Sequence, residues 1–408
     1  MILIASESEE SLLTSARRLL PGIIAGAADL DPAAVLTATV AGASFGYSMG
    51  WVVLLCVPVL YCIFGVSARI GQETGRGLLD LVREHYGRNW SLAIALMIVA
   101  VNLAMIIGDL VAVSEGFSLI TALPRAYFLA AIGFSIWYLL IVGNYQKTTE
   151  ALGMLTLVLA AYVVAAYQVS DSPLSVLSGI VVPKIQMDRD YMMGIVAVFG
   201  SLLTPDVIVW QTSSRRGLPK GVAQAHIGEA HAGTFIACLI SLSAMVAASH
   251  LQVPDPARMS SRVAAEALAS FGTLGPIIFS LGIIGSGLVA LPILIASLCF
   301  AVSEAFGWES GLSIPPWRAR FFYVTISATV FVALAVNFFH INTVQILYWS
   351  QVLAGIVLVP IFIYILLISN DKRVMQTANN SFQNFWLSFA AGGMALSSLL
   401  FLWNVLLG

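Results

Sequence analysis

Eleven apolar stretches, each long enough to cross a bilayer, leave this chain few folds to choose from. A spanning helix needs about 20 apolar residues. Such stretches lie near 20–46, 49–68, 91–119, 126–143, 150–168, 191–212, 231–250, 273–303, 319–338, 343–369 and 384–407. Backbone in lipid must satisfy its own hydrogen bonds, which restricts the choice to helices or a closed barrel. Barrel strands alternate apolar and polar residues over about ten positions. These runs are continuous, so the chain reads as an all-α polytopic membrane protein. Composition agrees: of 408 residues only 10% are charged, against about 25% in a soluble domain.

Charge distribution sets an expected orientation. With the N-terminus inside, 14 of the 19 Lys and Arg residues fall on the cytoplasmic side. The other five, Arg125, Lys184, Arg189, Arg258 and Arg262, fall outside. Positive charge concentrates on the cytoplasmic side of membrane proteins, so a cytoplasmic N-terminus and a multi-pass location in the cell membrane, a bacterial inner membrane, are expected. An odd span count then leaves the C-terminus outside. Residues 1–19 carry Glu7, Glu9 and Glu10 and no basic residue before Arg17, unlike a cleavable signal peptide.

The chain divides into a tail (1–19), a core (20–369), and a loop with the eleventh span (370–408). The longest connections, 69–90, 169–190 and 304–318, leave no room for a separate soluble domain. The amphipathic segment from Gly77 to Tyr86 is predicted to lie as a helix at the cytoplasmic interface. No phosphate-binding glycine loop occurs, so ATP drive within the chain is excluded and no ATPase subunit is implied. Nothing points to nucleic acid. Cys56, Cys62, Cys238 and Cys299 all sit in apolar stretches without a CxxC pair or a Cys/His cluster, so they read as core residues rather than zinc ligands or disulfides. No nucleophile–base set supports an enzyme, and no cofactor is implied.

Two points break the apolar pattern. Asp29-Leu30-Asp31-Pro32 lies in the first stretch and Thr204-Pro205-Asp206 in the sixth. Ionisable groups at membrane depth are costly and mark binding sites or pathways. A proline there frees backbone carbonyls, which can bind a cation where a helix breaks. The two points head matching sets of five spans, about 20–168 and about 191–369. Five is odd, so the sets are oppositely oriented. That is the LeuT-type 5+5 inverted repeat, with discontinuous first and sixth helices.

Several motifs together resemble the NRAMP family of divalent metal transporters. Pro21-Gly22, Asp31-Pro32 and the run Ala41 to Ser48 followed by Trp51 resemble its first-span signature. Ala68-Arg69-Ile70-Gly71-Gln72-Glu73-Thr74-Gly75-Arg76-Gly77-Leu78 resembles its loop after the second span. Gly282 to Leu288, Ser303-Glu304-Ala305-Phe306-Gly307-Trp308 and Asn370 to Met375 resemble its eighth span, that span's exit and the loop before the last span. The resemblance covers nearly the whole chain.

It also locates a metal site and its changes. The family binds metal through the Asp and Asn of an Asp-Pro-Gly-Asn motif, a sixth-span carbonyl, and a Met before that span's proline. Here the Asp is Asp31, the Asn position is Ala34, the carbonyl falls at Ser201 and the Met position is Thr204. Losing a thioether for a hydroxyl favours hard ions such as Mg²⁺ and Mn²⁺. Small residues such as Ala33 and Ala34 would leave room for a partly hydrated ion, as in the NRAMP-related magnesium transporters. Asp29 and Asp206 are candidate compensating ligands, and Gln351 matches a family glutamine near the site. The family's titratable relay positions correspond to Asn102, Met105, Asp206 and Gln211; of these only Asp206 could still carry a proton, and otherwise transport without proton coupling is expected.

Plainer roles compete for several of these residues. Asp29 also reads as a helix-end cap or a vestibule charge, Asp206 as a cap for the lower half-helix, and Thr204 as a partner for a freed carbonyl. Asp109, seven residues from Asn102 and so on a similar face, is expected to bond within the bundle or sit near the outer end, with an alternative proton or ion path as the competing reading. The five histidines are expected in loops or at span ends, Gly42, Gly46, Gly285 and Gly287 at close helix contacts, and Trp51, Trp90, Trp210 and Trp317 at interfaces. The function expected is divalent cation transport, Mg²⁺ or Mn²⁺, by alternating access. The alternative is a proton- or sodium-coupled LeuT-type carrier of an amino acid or other small organic solute. Acids at both breaks disfavour a substrate carboxylate.

Overall fold

A computed structural model describes residues 30–142, 155–170, 172–182, 185–216, 220–253, 259–337 and 342–407, and their regular structure is entirely helical. Seven helices are long and apolar enough to cross a membrane, and three shorter apolar helices accompany them. The first of the seven, Pro32–Thr74, contains two of the predicted spans. These are α1 (Pro32–Phe45) and α2 (Gly50–Thr74), separated by the 3-10 turn Gly46–Met49. Gly46 takes φ 62°, a left-handed conformation that ends α1.

The remaining helices follow the predicted order with shifted ends. They are α3 (Leu78–His85), α4 (Arg88–Thr121), α5 (Ala126–Ile141), α6 (Ala161–Val169), α7 (Pro173–Val181), α8 (Arg189–Leu202) and α9 (Pro205–Ser214). Then come α10 (Lys220–Ala248), α11 (Ser261–Ala265), α12 (Gly275–Phe306), α13 (Arg320–Val336), α14 (Thr343–Asn370) and α15 (Ser381–Leu407). Each of the eleven apolar stretches thus meets helix among the described residues. The supposed loop 169–190 contains α7, and α10 begins well before its apolar core. His231 sits within α10 at the first residue of its membrane-spanning stretch, a span end as expected, stacked on Tyr61 of α2.

Two helices begin in the same way. α1 has Pro32 in its first turn and Asp31 as N-cap. α9 has Pro205 in its first turn and Thr204 as N-cap. Proline suits a helix start, because the N–H it lacks would have no partner there. The sixth stretch is therefore two helices, α8 and α9, parted at Leu203–Thr204. The chain before Leu30, including Asp29, lies outside the described residues, so the break of the first span is seen from its α1 side alone.

Packing brings these breaks to the centre. The α4–α12 contact is the most extensive in the molecule, α8 packs on α14, and α10 lies across α1 and α2. α8 and α14 cross so closely at Gly200 that a side chain there would collide with the Gln351 carbonyl. The helix predicted to float at the membrane interface instead turns its apolar face into the protein. Leu78, Leu79, Leu81 and Val82 of α3 are all buried, and the Ser91 hydroxyl donates to the Leu79 carbonyl at 2.9 Å.

Candidate metal centre

The starts of α1 and α9 meet around one small space. A cavity of about 20 Å³ is lined by Asp31, Thr204 and Asp206 with Val207, Ala290, Ile293 and Leu294. That is about room for a single water. Asp31 is 6% exposed, Thr204 6% and Asp206 4%. No Lys, Arg or His lines the cavity. Two carboxylates thus face one space with no protein cation to balance them, and burying such charges unpaired is costly.

Local structure fixes each group. The Asp31 carboxylate accepts the Ala34 N–H at 2.6 Å, as an N-cap does. Asp206 lies in the first turn of α9 rather than at its cap. Its carbonyl accepts the Ser297 hydroxyl of α12 at 2.8 Å, while its Oδ1 has no partner. The positive ends of two half-helices point at the break, so the acids also offset a field that would otherwise repel a cation.

Of the other predicted site residues, Ser201 and Gln351 do not line the cavity. The Ser201 hydroxyl is turned back onto the Val198 carbonyl at 3.0 Å. Its own carbonyl sits at the end of α8, where a helix leaves its last carbonyls without intrahelical partners. Gln351 is fully buried on α14, and neither its amide oxygen nor its nitrogen has a partner. Ala33 and Ala34 are buried and do not open space for a hydrated ion, because they pack into the core. That expectation is corrected: the space is for one water at most in this conformation.

Asp109 is the residue whose expected plain role fails. It is fully buried on α4, and both carboxylate oxygens lack hydrogen-bond partners. Val113, one turn on, meets α12 at Gly287, where a side chain would also strike Pro32. Asn102, two turns before, donates to the Leu294 carbonyl of α12 at 3.5 Å. Asp109 therefore stands on the α4 face that runs along the site, within electrostatic reach of Asp31 and Asp206. It does not close on them: among the described residues no three of His, Cys, Asp and Glu gather tightly enough to hold a metal. A seven-residue spacing from Asn102 was the only sequence signal for its position.

Sequence reasoning missed a second buried acid at the far end of α9. Glu304 of α12 is 1% exposed. Its carboxylate accepts the Ser213 hydroxyl at 2.5 Å and the Leu79 N–H at 3.1 Å, and it pairs with Arg216. Its backbone carbonyl accepts the Arg83 guanidinium at 2.7 Å. Trp210, predicted at an interface, packs on Phe300 of α12 instead, with ring centroids 6.1 Å apart.

Comparison with known proteins places the arrangement. The chain is 25% identical over 374 residues to the divalent metal cation transporter MntH of Bacillus subtilis, covering 88% of this chain and 85% of that protein. The fold matches a manganese transporter of Eremococcus coleocola, in complex with an aromatic bis-isothiourea substituted compound, with TM-score 0.70 at 15% identity, over 94% of this chain and 85% of that one. It also matches MhsT in complex with L-phenylalanine, with TM-score 0.59 at 13% identity, over 95% and 98%. The family model described as natural resistance-associated macrophage protein-like matches residues 22–404, nearly the whole length. A helix start at Asp31-Pro32 and a break at Thr204-Pro205 in a LeuT-type frame, with that match running through both, make this chain a member of the Nramp family.

Proposed function

We propose that the protein carries a hard divalent cation, Mn²⁺ or Mg²⁺, across the membrane by alternating access. The observation that carries this reading is the small cavity between the two half-helices, lined by Asp31, Asp206 and Thr204 and by no basic group. Two carboxylates match one divalent charge. The donor set is all oxygen, with Thr204 where the family has a thioether, and oxygen ligands suit Mg²⁺, Ca²⁺ and Mn²⁺ over softer metals. The relative from Bacillus subtilis is a divalent metal cation transporter, which supports the class of substrate. Mg²⁺ gives up its waters reluctantly, and the cavity has room for one at most, so this conformation favours Mn²⁺. Freed carbonyls near Ser201, and Gln351 after a turn of its side chain, are the groups that would complete the shell.

Proton coupling is not obligatory in this reading. Asn102, Met105 and Gln211 stand where the family has titratable relay groups. In this reading the N-terminus and the arginine-rich face lie in the cytoplasm, which the bias of Lys and Arg supports. The test is flux into liposomes with Mn²⁺, Mg²⁺ and Ca²⁺ in competition and internal pH recorded. Saturable Mn²⁺ or Mg²⁺ uptake without acidification is the expected result. Uptake of an amino acid, or metal uptake that acidifies the lumen in fixed ratio, would overturn it.

A further inference from the structure

The contacts between α9 and α12 run in register from the ion site to the far end of the half-helix. Ser297 bonds the carbonyl of Asp206 at 2.8 Å, Phe300 packs on Trp210, and Glu304 receives the hydroxyl of Ser213. Asp206 and Ser213 are seven residues apart, as are Ser297 and Glu304. The two helices are therefore parallel and in step over two turns. Beyond α9, Arg216 adds the ion pair to Glu304 and lies 5.3 Å from the Phe300 ring centre. It also approaches Asp80 of α3 at 3.9 Å, and Asp80 pairs with Arg83 at 3.1 Å.

The opposite side of α9 is joined differently. A side chain at Gly71 of α2 would collide with the Thr212 carbonyl, so α2 and α9 meet backbone to backbone. Such a contact has no side chains to rearrange, whereas the α9–α12 contact is made of polar groups and rings that can part. Packed elements move between discrete arrangements rather than deforming. If α9 moves with α2, the seam that must open is the one with α12, and Glu304 holds its far end.

We propose that Glu304 is a positioning residue for transport: it latches the far end of α9 to α12 and α3 in this conformation, and its release opens the path from the cavity to the arginine-rich face. Gly77 makes room for the latch, because a Cβ there would fall on the Glu304 carboxylate. The inference rests on alternating access as proposed above, and not on which ion is carried.

The experiment reads conformation directly. Val209 of α9 is fully buried, and Val209→Cys, with Cys56, Cys62, Cys238 and Cys299 replaced by Ala, gives one thiol for maleimide labelling in detergent. Glu304→Gln keeps the shape and removes the charge; Gly77→Ala keeps every charge and displaces the carboxylate. Both are expected to raise the labelling rate several-fold, and Arg216→Gln to do the same. Unchanged labelling in any one of the three that elutes as a folded protein would overturn the latch. Labelling needs no flux, so a chain that proved to carry some other solute would still give this result, and the two readings fail separately.

Discussion

The protein buries carboxylates in two places and treats them oppositely. At the breaks, Asp31 and Asp206 share a cavity lined by no basic side chain, and Asp109 stands near them with neither oxygen bonded. At the far end of α9, Glu304 is equally buried, yet it holds an arginine, a hydroxyl and a backbone N–H. The chain completes one site itself and leaves the other with carboxylate oxygens unpartnered among the described residues. On the function proposed above, that difference separates a charge that holds the structure together from a charge that serves a substrate.

Substitutions should split along the same line. The largest effect is expected at the open site. Asp31→Ala should lower divalent uptake in liposomes by about two to four orders of magnitude, since removing the carboxylate that would pair with the buried cation costs roughly 3–5 kcal/mol. Near wild-type flux in a folded variant would move the ion elsewhere. Next comes the paired site: Arg216→Ala should destabilise the ion-free protein by about 2–3 kcal/mol, because it strands the buried Glu304 charge. The measurement is a melting curve in detergent. Asp109→Asn should move the same curve the other way, by about 1 kcal/mol, because it removes an acid without partners. A fall like that of Arg216→Ala would mean that Asp109 is tied into the structure after all.

The smallest effect is expected at Asp80, which sits between the two cases. Burial lifts its carboxyl above the usual carboxylate range in spite of Arg216 and Arg83 beside it. A carboxyl raised in the folded protein favours folding at pH below its unfolded value and loses that contribution as pH rises through the folded value. Asp80→Asn should therefore gain stability relative to wild type as pH rises from below the unfolded value of 3.8 to neutrality, by less than about 1 kcal/mol, because the group is partly exposed. A larger relative gain at the acid end would reverse the assignment.

How far the sequence reveals these two places follows from the range of the interactions. Asp31-Pro32 and Thr204-Pro205-Asp206 are local signals: an acid or hydroxyl beside a proline sets a helix start within four residues, so both half-helices and the central pair could be read. The Glu304 cluster joins residues 80, 213, 216 and 304 from three separate segments, and no periodicity links them. Its one trace was an acid at the end of an apolar run, quoted for its motif and given no task. The α3 segment shows a different limit. Amphipathicity says that one face avoids water, but whether lipid or protein covers that face depends on tertiary packing. The size of the cavity was equally hidden, because Ala33 and Ala34 can widen a site or be packed away, and here they are packed away.

The in-step seam between α9 and α12 restricts length more than it restricts chemistry. One residue added between Asp206 and Ser213 would turn everything after it by about 100° around the helix. Ser213 and Arg216 would then point away from Glu304 while the cavity stayed intact. A side chain exchanged along this stretch would leave the register intact. A residue gained or lost would not. The segment from Thr204 to Arg216 therefore works as a ruler, and its fixed length ties an event at the cavity to an event at the membrane face.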